Sequence, residues 1–180
     1  MKIWLLQADA NNYNNFTLVD GSGWKQLVGL ESFAGKPMQR GWIPYQVKII
    51  KERKAGDMQA FFGGVSAVNQ KTINTLDKFF NNNIEFLLLD YEKEPYYAIN
   101  ILEMLDCIDY ERSLINRFSD GNIMSFDKYA FVKEKVEKKH IFKIIDEPRK
   151  FPFVSDEFRQ QVIDNGLTGF LFSEVWSSEE

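Results

Sequence analysis

Cysteine is almost absent from this chain, with Cys107 the only one in 180 residues. One thiol cannot close an intramolecular disulfide, so a packed core must hold the fold, and a reducing compartment suits it. Histidine is as scarce: His140 stands alone, which rules out a multi-histidine zinc centre. No stretch approaches the roughly 18 apolar residues of a membrane helix. The N-terminal run Ile3-Trp4-Leu5-Leu6 is shorter than the roughly 7 to 15 apolar residues of an export signal. These absences lead us to expect a cytoplasmic protein with no membrane partner. A strongly basic stripe is also missing, since only Lys48, Lys51, Arg53 and Lys54 cluster and Glu52 interrupts them. Nucleic acid is therefore not an expected partner.

What is present is core material. Hydrophobic residues make up 44% of the chain, including 16 Phe, 7 Tyr and 4 Trp. A chain of this length buries about 70% of its unfolded surface, so neither metal nor cofactor is needed for stability. We read residues 1–180 as a single domain. The net charge of −4 is unevenly spread. Residues 1–90 hold 10 Lys/Arg against 8 Asp/Glu, and residues 91–180 hold 12 against 18. The second half would attract a basic protein surface.

The pattern predicts strands at Lys2 to Gln7, Phe16 to Val19, Tyr45 to Ile50, Ile84 to Leu89, Tyr96 to Leu102, Ile141 to Ile145 and Gly169 to Trp176. Ser66 is expected to cap a helix running to about Phe80, with Ile73, Leu76 and Phe80 on one face. Ser155, followed by Asp156 and Glu157, predicts a second helix that stops at Asn165-Gly166. Ser177 to Glu180 are expected to fray. Strands and helices mix without a βαβ repeat. The expected class is α+β, with a mixed, largely antiparallel sheet and a few packed helices.

Candidate chemistry is thin. Gly21-Ser22-Gly23-Trp24-Lys25 lacks the spacing of a phosphate loop and reads as a surface turn. Cys107 sits between Asp106 and Asp109, whose charges oppose thiolate formation, so it reads as a small buried hydrophobe. A lone His140 between a charged run and a strand reads as structural. Two acidic groups remain: Asp90, Glu92 and Glu94, and Asp106, Asp109 and Glu111. Carboxylates so placed could serve acid–base chemistry or hold a divalent ion. Neither group has calcium-loop spacing, so the expected use is a solvated acidic face that contacts a protein.

Several segments, taken in order, resemble a known family. They are Gly35-Lys36-Pro37, Gly56-Asp57-Met58, the stretch from Ser66 with Asn69, Lys71 and Leu76, and Tyr97-Ala98-Ile99-Asn100. Leu105 to Asp109 with Ser113, Tyr129-Ala130-Phe131 and His140 to Lys143 continue the series. Val154 to Phe158 and Gly166-Leu167-Thr168-Gly169-Phe170 complete it. Over about residues 35–176 the chain resembles the bacterial polymorphic-toxin immunity proteins of family eleven, the MXAN-type immunity domain. Glu85 also lies where that family tends to carry a Glu. The resemblance implies a non-catalytic protein that binds and neutralises a cognate toxin domain. Two other readings compete with it. One is an enzyme using an acidic, metal-binding cluster around Asp106 to Glu111. The other is a general adaptor binding through Trp24, Trp42 or Trp176.

Overall fold

The computed structural model describes residues 1–20, 27 and 32–179. The turn expected at 21–25, including Trp24, lies outside the described residues. The architecture is α+β, as the pattern predicts, with its strands divided between two larger sheets and one hairpin.

Strand β1 (Lys2–Ala8) lies inside a five-stranded sheet. It pairs antiparallel with β12 (Phe153–Ser155) on one side and β13 (Phe170–Ser177) on the other. Next to β12 comes β11 (Ile141–Ile144), and β8 (Met104–Leu105) closes the sheet in parallel with β11. The second sheet has six strands in the order β2 (Phe16–Leu18), β3 (Tyr45–Ile49), β6 (Ile84–Asp90), β7 (Tyr96–Ile101), β5 (Val65–Asn69), β4 (Met58–Phe62). Its pairings are antiparallel except β3 with β6. The third sheet is the hairpin of β9 (Leu114–Arg117) and β10 (Ile123–Lys128).

Alternation along the strands divides the apolar side chains into three layers. The central layer joins one face of each large sheet, through Leu6, Val154, Val68 and Ile101, to helices α1 (Gln70–Phe80) and α3 (Asp156–Asp164). The short helix α2 (Lys133–Val136) lies between them in sequence. Leu76, Phe79 and Phe80 of α1 meet Phe158 and Val162 of α3 in that layer. The outer face of the six-stranded sheet carries Phe16, Val47, Leu87, Tyr96 and Ala98. The outer face of the five-stranded sheet carries Ile3, Phe142, Phe153 and Trp176, with Cys107 and Phe131 packed on them. Trp176 is thus core, and Trp42 is bound through its ring nitrogen to the Leu88 carbonyl oxygen at 2.8 Å.

Two local expectations fail. Ser66 does not cap a helix; it lies in β5, and Asn69 caps α1 by accepting the Thr72 amide at 3.0 Å. The reason is tertiary: Val65, Ala67 and Val68 are buried, and burial in the sheet overrides the local capping preference. The end of the chain also does not fray from Ser177, which pairs with Lys2, while the Ser178 amide donates to the Met1 carbonyl. Ser155 caps α3 as expected, accepting the Phe158 amide at 3.2 Å, and Gly166 leaves the helix with a left-handed φ of 57°.

Candidate partner-binding surface

The two acidic groups lie at opposite ends of β7. Asp90 ends β6, and Glu92 and Glu94 follow it in the exposed turn before β7. Asp106, Asp109 and Glu111 follow it, beyond β8. Strands rise roughly 3.3 Å per residue, so the six residues of β7 hold the groups apart, and they do not form one site. The turn at Asp90 is flanked by two open clefts. One, of about 370 Å³, is lined by Lys48, Glu52, Asp90 and Glu92 among others, and the other, of about 560 Å³, by Leu88 and Glu94.

Of the second group, Asp106 and Glu111 are exposed, and Asp106 lies 3.7 Å from the Lys135 ammonium. Such an exposed pair contributes little to stability. Asp109 has a structural task. Its Oδ1 accepts the amides of Glu111 and Arg112, and its carbonyl accepts the Ser113 hydroxyl at 2.7 Å. Among the described residues, no group of three or more His, Cys, Asp or Glu is arranged to hold a metal ion.

Beyond this turn the chain leaves the five-stranded sheet as an arm. Its root is closed by the Ile108–Phe131 bridge, the Asp109 amide on the Ala130 carbonyl, and the Val132 amide on the Cys107 carbonyl. Aromatic rings then anchor it: Phe126 stacks on Tyr129 at 4.9 Å, and Tyr129 meets Phe153 of the sheet edge-on at 5.0 Å. The tip is tied by Phe118 and Asn122, by Gly121 donating to Phe118, and by the Arg117 guanidinium on the Gly121 carbonyl. On this braced arm Leu114 is 60% exposed, Phe118 54% and Met124 48%. Tyr110 and Ile145 are exposed large residues as well. None of the strands expected from the pattern falls here. The one signal in the sequence is Asp120-Gly121 between Leu114-Ile115 and Ile123-Met124, a hairpin turn between apolar pairs.

Three more functional candidates lie outside the two acidic groups expected from the sequence. Lys143 is 3% exposed, and its ammonium donates to the carbonyls of Phe33 at 3.0 Å and Pro148 at 3.2 Å. Burial, with Arg149 nearby, pushes its pKa down to about 8. Glu147 is buried and accepts the Tyr129 hydroxyl at 2.7 Å. Asp146 accepts the Tyr110 hydroxyl at 2.8 Å, a bond that, with some burial, pushes that phenol up to about 12.

Other singled-out residues prove structural. The buried Cys107 thiol is pushed up to about 12 by burial, so it is no nucleophile. His140 packs on Phe79 at 5.0 Å and shares a 3.0 Å hydrogen bond with Ser155. Glu85 accepts the amides of Met38 and Gln39 and the Asn100 side chain, pinning the 36–39 segment to β6. Gly56-Asp57-Met58 and Gly166 to Phe170, far apart in sequence, meet. Asp57 accepts the Thr168 amide at 2.8 Å, the Thr168 hydroxyl, Asn69 and Lys71. Burial pushes the Asp57 carboxyl up, but those donors outweigh it and hold the carboxyl below its usual value. Gly169, at φ 86°, leaves room for the Met58 carbonyl, which any Cβ would strike. These two segments of the family resemblance are thus mutual packing contacts.

No curated protein matches the chain. The model of the Immunity protein family (Imm11) matches residues 51–177, which run from the loop before β4 through all of β13 and include the arm, α1 and α3. The chain therefore belongs to the immunity protein family Imm11.

Proposed function

We propose that this protein neutralises a cognate toxin domain by binding it stoichiometrically, through the face formed by the β9–β10 arm and the adjoining Asp106 to Glu111 turn. The observation that carries this reading is an arm fixed at its root that nonetheless exposes Leu114, Phe118 and Met124. Apolar side chains left on a rigid support suit a partner's cleft, because little conformational entropy is lost on docking. Asp106 and Glu111 at its base favour a basic surface and would speed encounter more than they add affinity. Membership of an immunity family supports the same reading.

The test is co-expression with the toxin domain encoded beside this gene. The wild-type chain should restore growth and co-purify with the toxin at one to one. Replacing Leu114, Phe118 and Met124 together by Ser should weaken binding at least 100-fold, an effect of about 2.7 kcal/mol, with the thermal midpoint little changed. Asp90→Asn with Glu92→Gln and Glu94→Gln, at the other end of β7, should bind normally. The reverse pattern would move the contact to the Asp90 turn and sink the arm assignment.

A further inference from the structure

Strand β13 ends the five-stranded sheet at the edge opposite β8, with β1 its neighbour in the order. The hydrogen bonds around β1 show which groups of β13 face outward. The Asp9 amide donates to the Gly169 carbonyl at 2.9 Å, and the Leu6 amide turns the other way, to the Pro152 carbonyl at 2.9 Å. Directly opposed residues of an antiparallel pair alternate between bonding to each other and turning away. With Gln7 opposite Leu171 and Leu5 opposite Ser173, those two residues of β13 bond to β1. Phe172 and Glu174 therefore turn their amides and carbonyls away from it. Thr168, in the same phase, gives its carbonyl to the Met58 amide. Among the described residues, no strand meets Phe172 or Glu174 in that way.

Natural sheets blunt such edges with lysine, proline or an unpaired charge. β13 has neither lysine nor proline, and its one charged residue, Glu174, is met by the Lys2 ammonium at 2.7 Å. A register shift in its pairing falls after Glu174 and leaves the stretch before it in phase. Phe170 and Phe172 stack on one face, and Leu171, 46% exposed, stands on the other. We propose that this edge pairs antiparallel with β13 of a second copy of the chain, across a two-fold axis at Ser173. Each Phe172 then lies opposite Glu174 of the other copy, and each such pair exchanges both of its main-chain bonds. A two-fold axis lets one strand supply both sides of the contact. The register sets Ser173 against its own copy and puts no like charges directly opposite. Charge also selects this occupant. The edge is neutral once Lys2 has met Glu174, so it offers a basic toxin surface no attraction. The pairing uses none of Leu114, Phe118 and Met124, and is independent of the toxin-binding face proposed above. So short a contact makes a weak dimer.

Sedimentation velocity of the full chain, from about 5 µM to about 500 µM, measures the association directly. The wild type should pass from monomer to dimer within that range. Ser173→Lys sets two ammonium groups against each other at the axis and should weaken the dimer about 10-fold or more. Ser173→Glu should do the same, and an equal mixture of the two variants should pair again, because opposite charges then meet. Glu174→Pro removes an outward amide while keeping the bonds to β1, and should also favour the monomer. It decides the matter if either Ser173 variant does not fold. A wild type that stays monomeric at the highest concentration overturns the proposal. So does a dimer that these variants leave intact, or a mixture that stays monomeric. Toxin affinity keeps the two readings apart, and Ser173→Lys should bind toxin as the wild type does. A monomeric wild type whose toxin binding is lost in Ser173→Lys would give the edge to a toxin strand instead. If the wild type binds no toxin, the reading of function fails and the sedimentation result still decides the edge.

Discussion

Lys143 shows how a single residue can escape the rules that place its neighbours. In the run Ile141-Phe142-Lys143-Ile144 a lysine would be assigned to the solvent face, yet all four residues are buried. Among the described residues its ammonium donates to two carbonyl oxygens, and burial is the main cost its charge meets. The fold therefore binds this proton less tightly than the unfolded chain does, with a folded pKa of about 8 against 10.5. Between those values the unfolded state holds more protons, so this group makes stability rise with pH, and below pH 8 the fold carries the full cost. Lys143→Met abolishes that titration. The stability of the wild type relative to the variant should climb between pH 8 and pH 10.5 by on the order of 3 kcal/mol. Urea unfolding at pH 7, 8.5 and 10 checks it, and a flat difference would refute it. Cys107 acts in the opposite sense, losing stability as pH rises from about 9 towards 12. It is common to both proteins and cancels in the difference.

At the scale of elements, legibility follows how far local chemistry agrees with packing. The helix at Asp156 is readable because Ser155 supplies the cap, Asp156 and Glu157 favour its positive end, and Gly166 ends it. Ser66 misleads because a capping residue type sits inside an apolar run that the sheet buries. The two serines therefore make a matched test. Ser155→Ala should cost about 1 kcal/mol, as a lost N-cap does. Ser66→Ala should change the stability of α1 far less, since Asn69 does the capping. Equal losses in chemical denaturation would contradict that assignment. The arm is illegible for another reason: its exposed Leu114, Phe118 and Met124 break the alternation that marks a strand packed on a core. The acidic residues can be found as residues, but the Tyr110 bond of Asp146 is created by a fold that no spacing reveals.

At the scale of the molecule, the α+β class and the antiparallel bias can be read from mixed strand and helix signals, whereas the strand order cannot. It depends on pairings between distant segments, above all β1 between β12 and β13. The family match begins at residue 51 and so omits β1, β2 and β3. A chain of residues 51–180 should fail to fold, because β12 and β13 lose the strand between them and Leu6 leaves the central layer. Circular dichroism should show no cooperative thermal transition, and a sharp transition would mean the matched region is self-sufficient.

The placement of β1 also fixes a timetable. Within this chain it is among the first segments to leave the ribosome, yet the strands that flank it are among the last made. At roughly 5–20 residues per second, the interval before β13 follows is on the order of ten seconds to half a minute. Throughout it both edges of β1 lack their native partners. On the proposed toxin-neutralising reading, a cell that starts synthesis only when toxin arrives would be undefended for that interval, so protection of this kind calls for a finished pool held in advance.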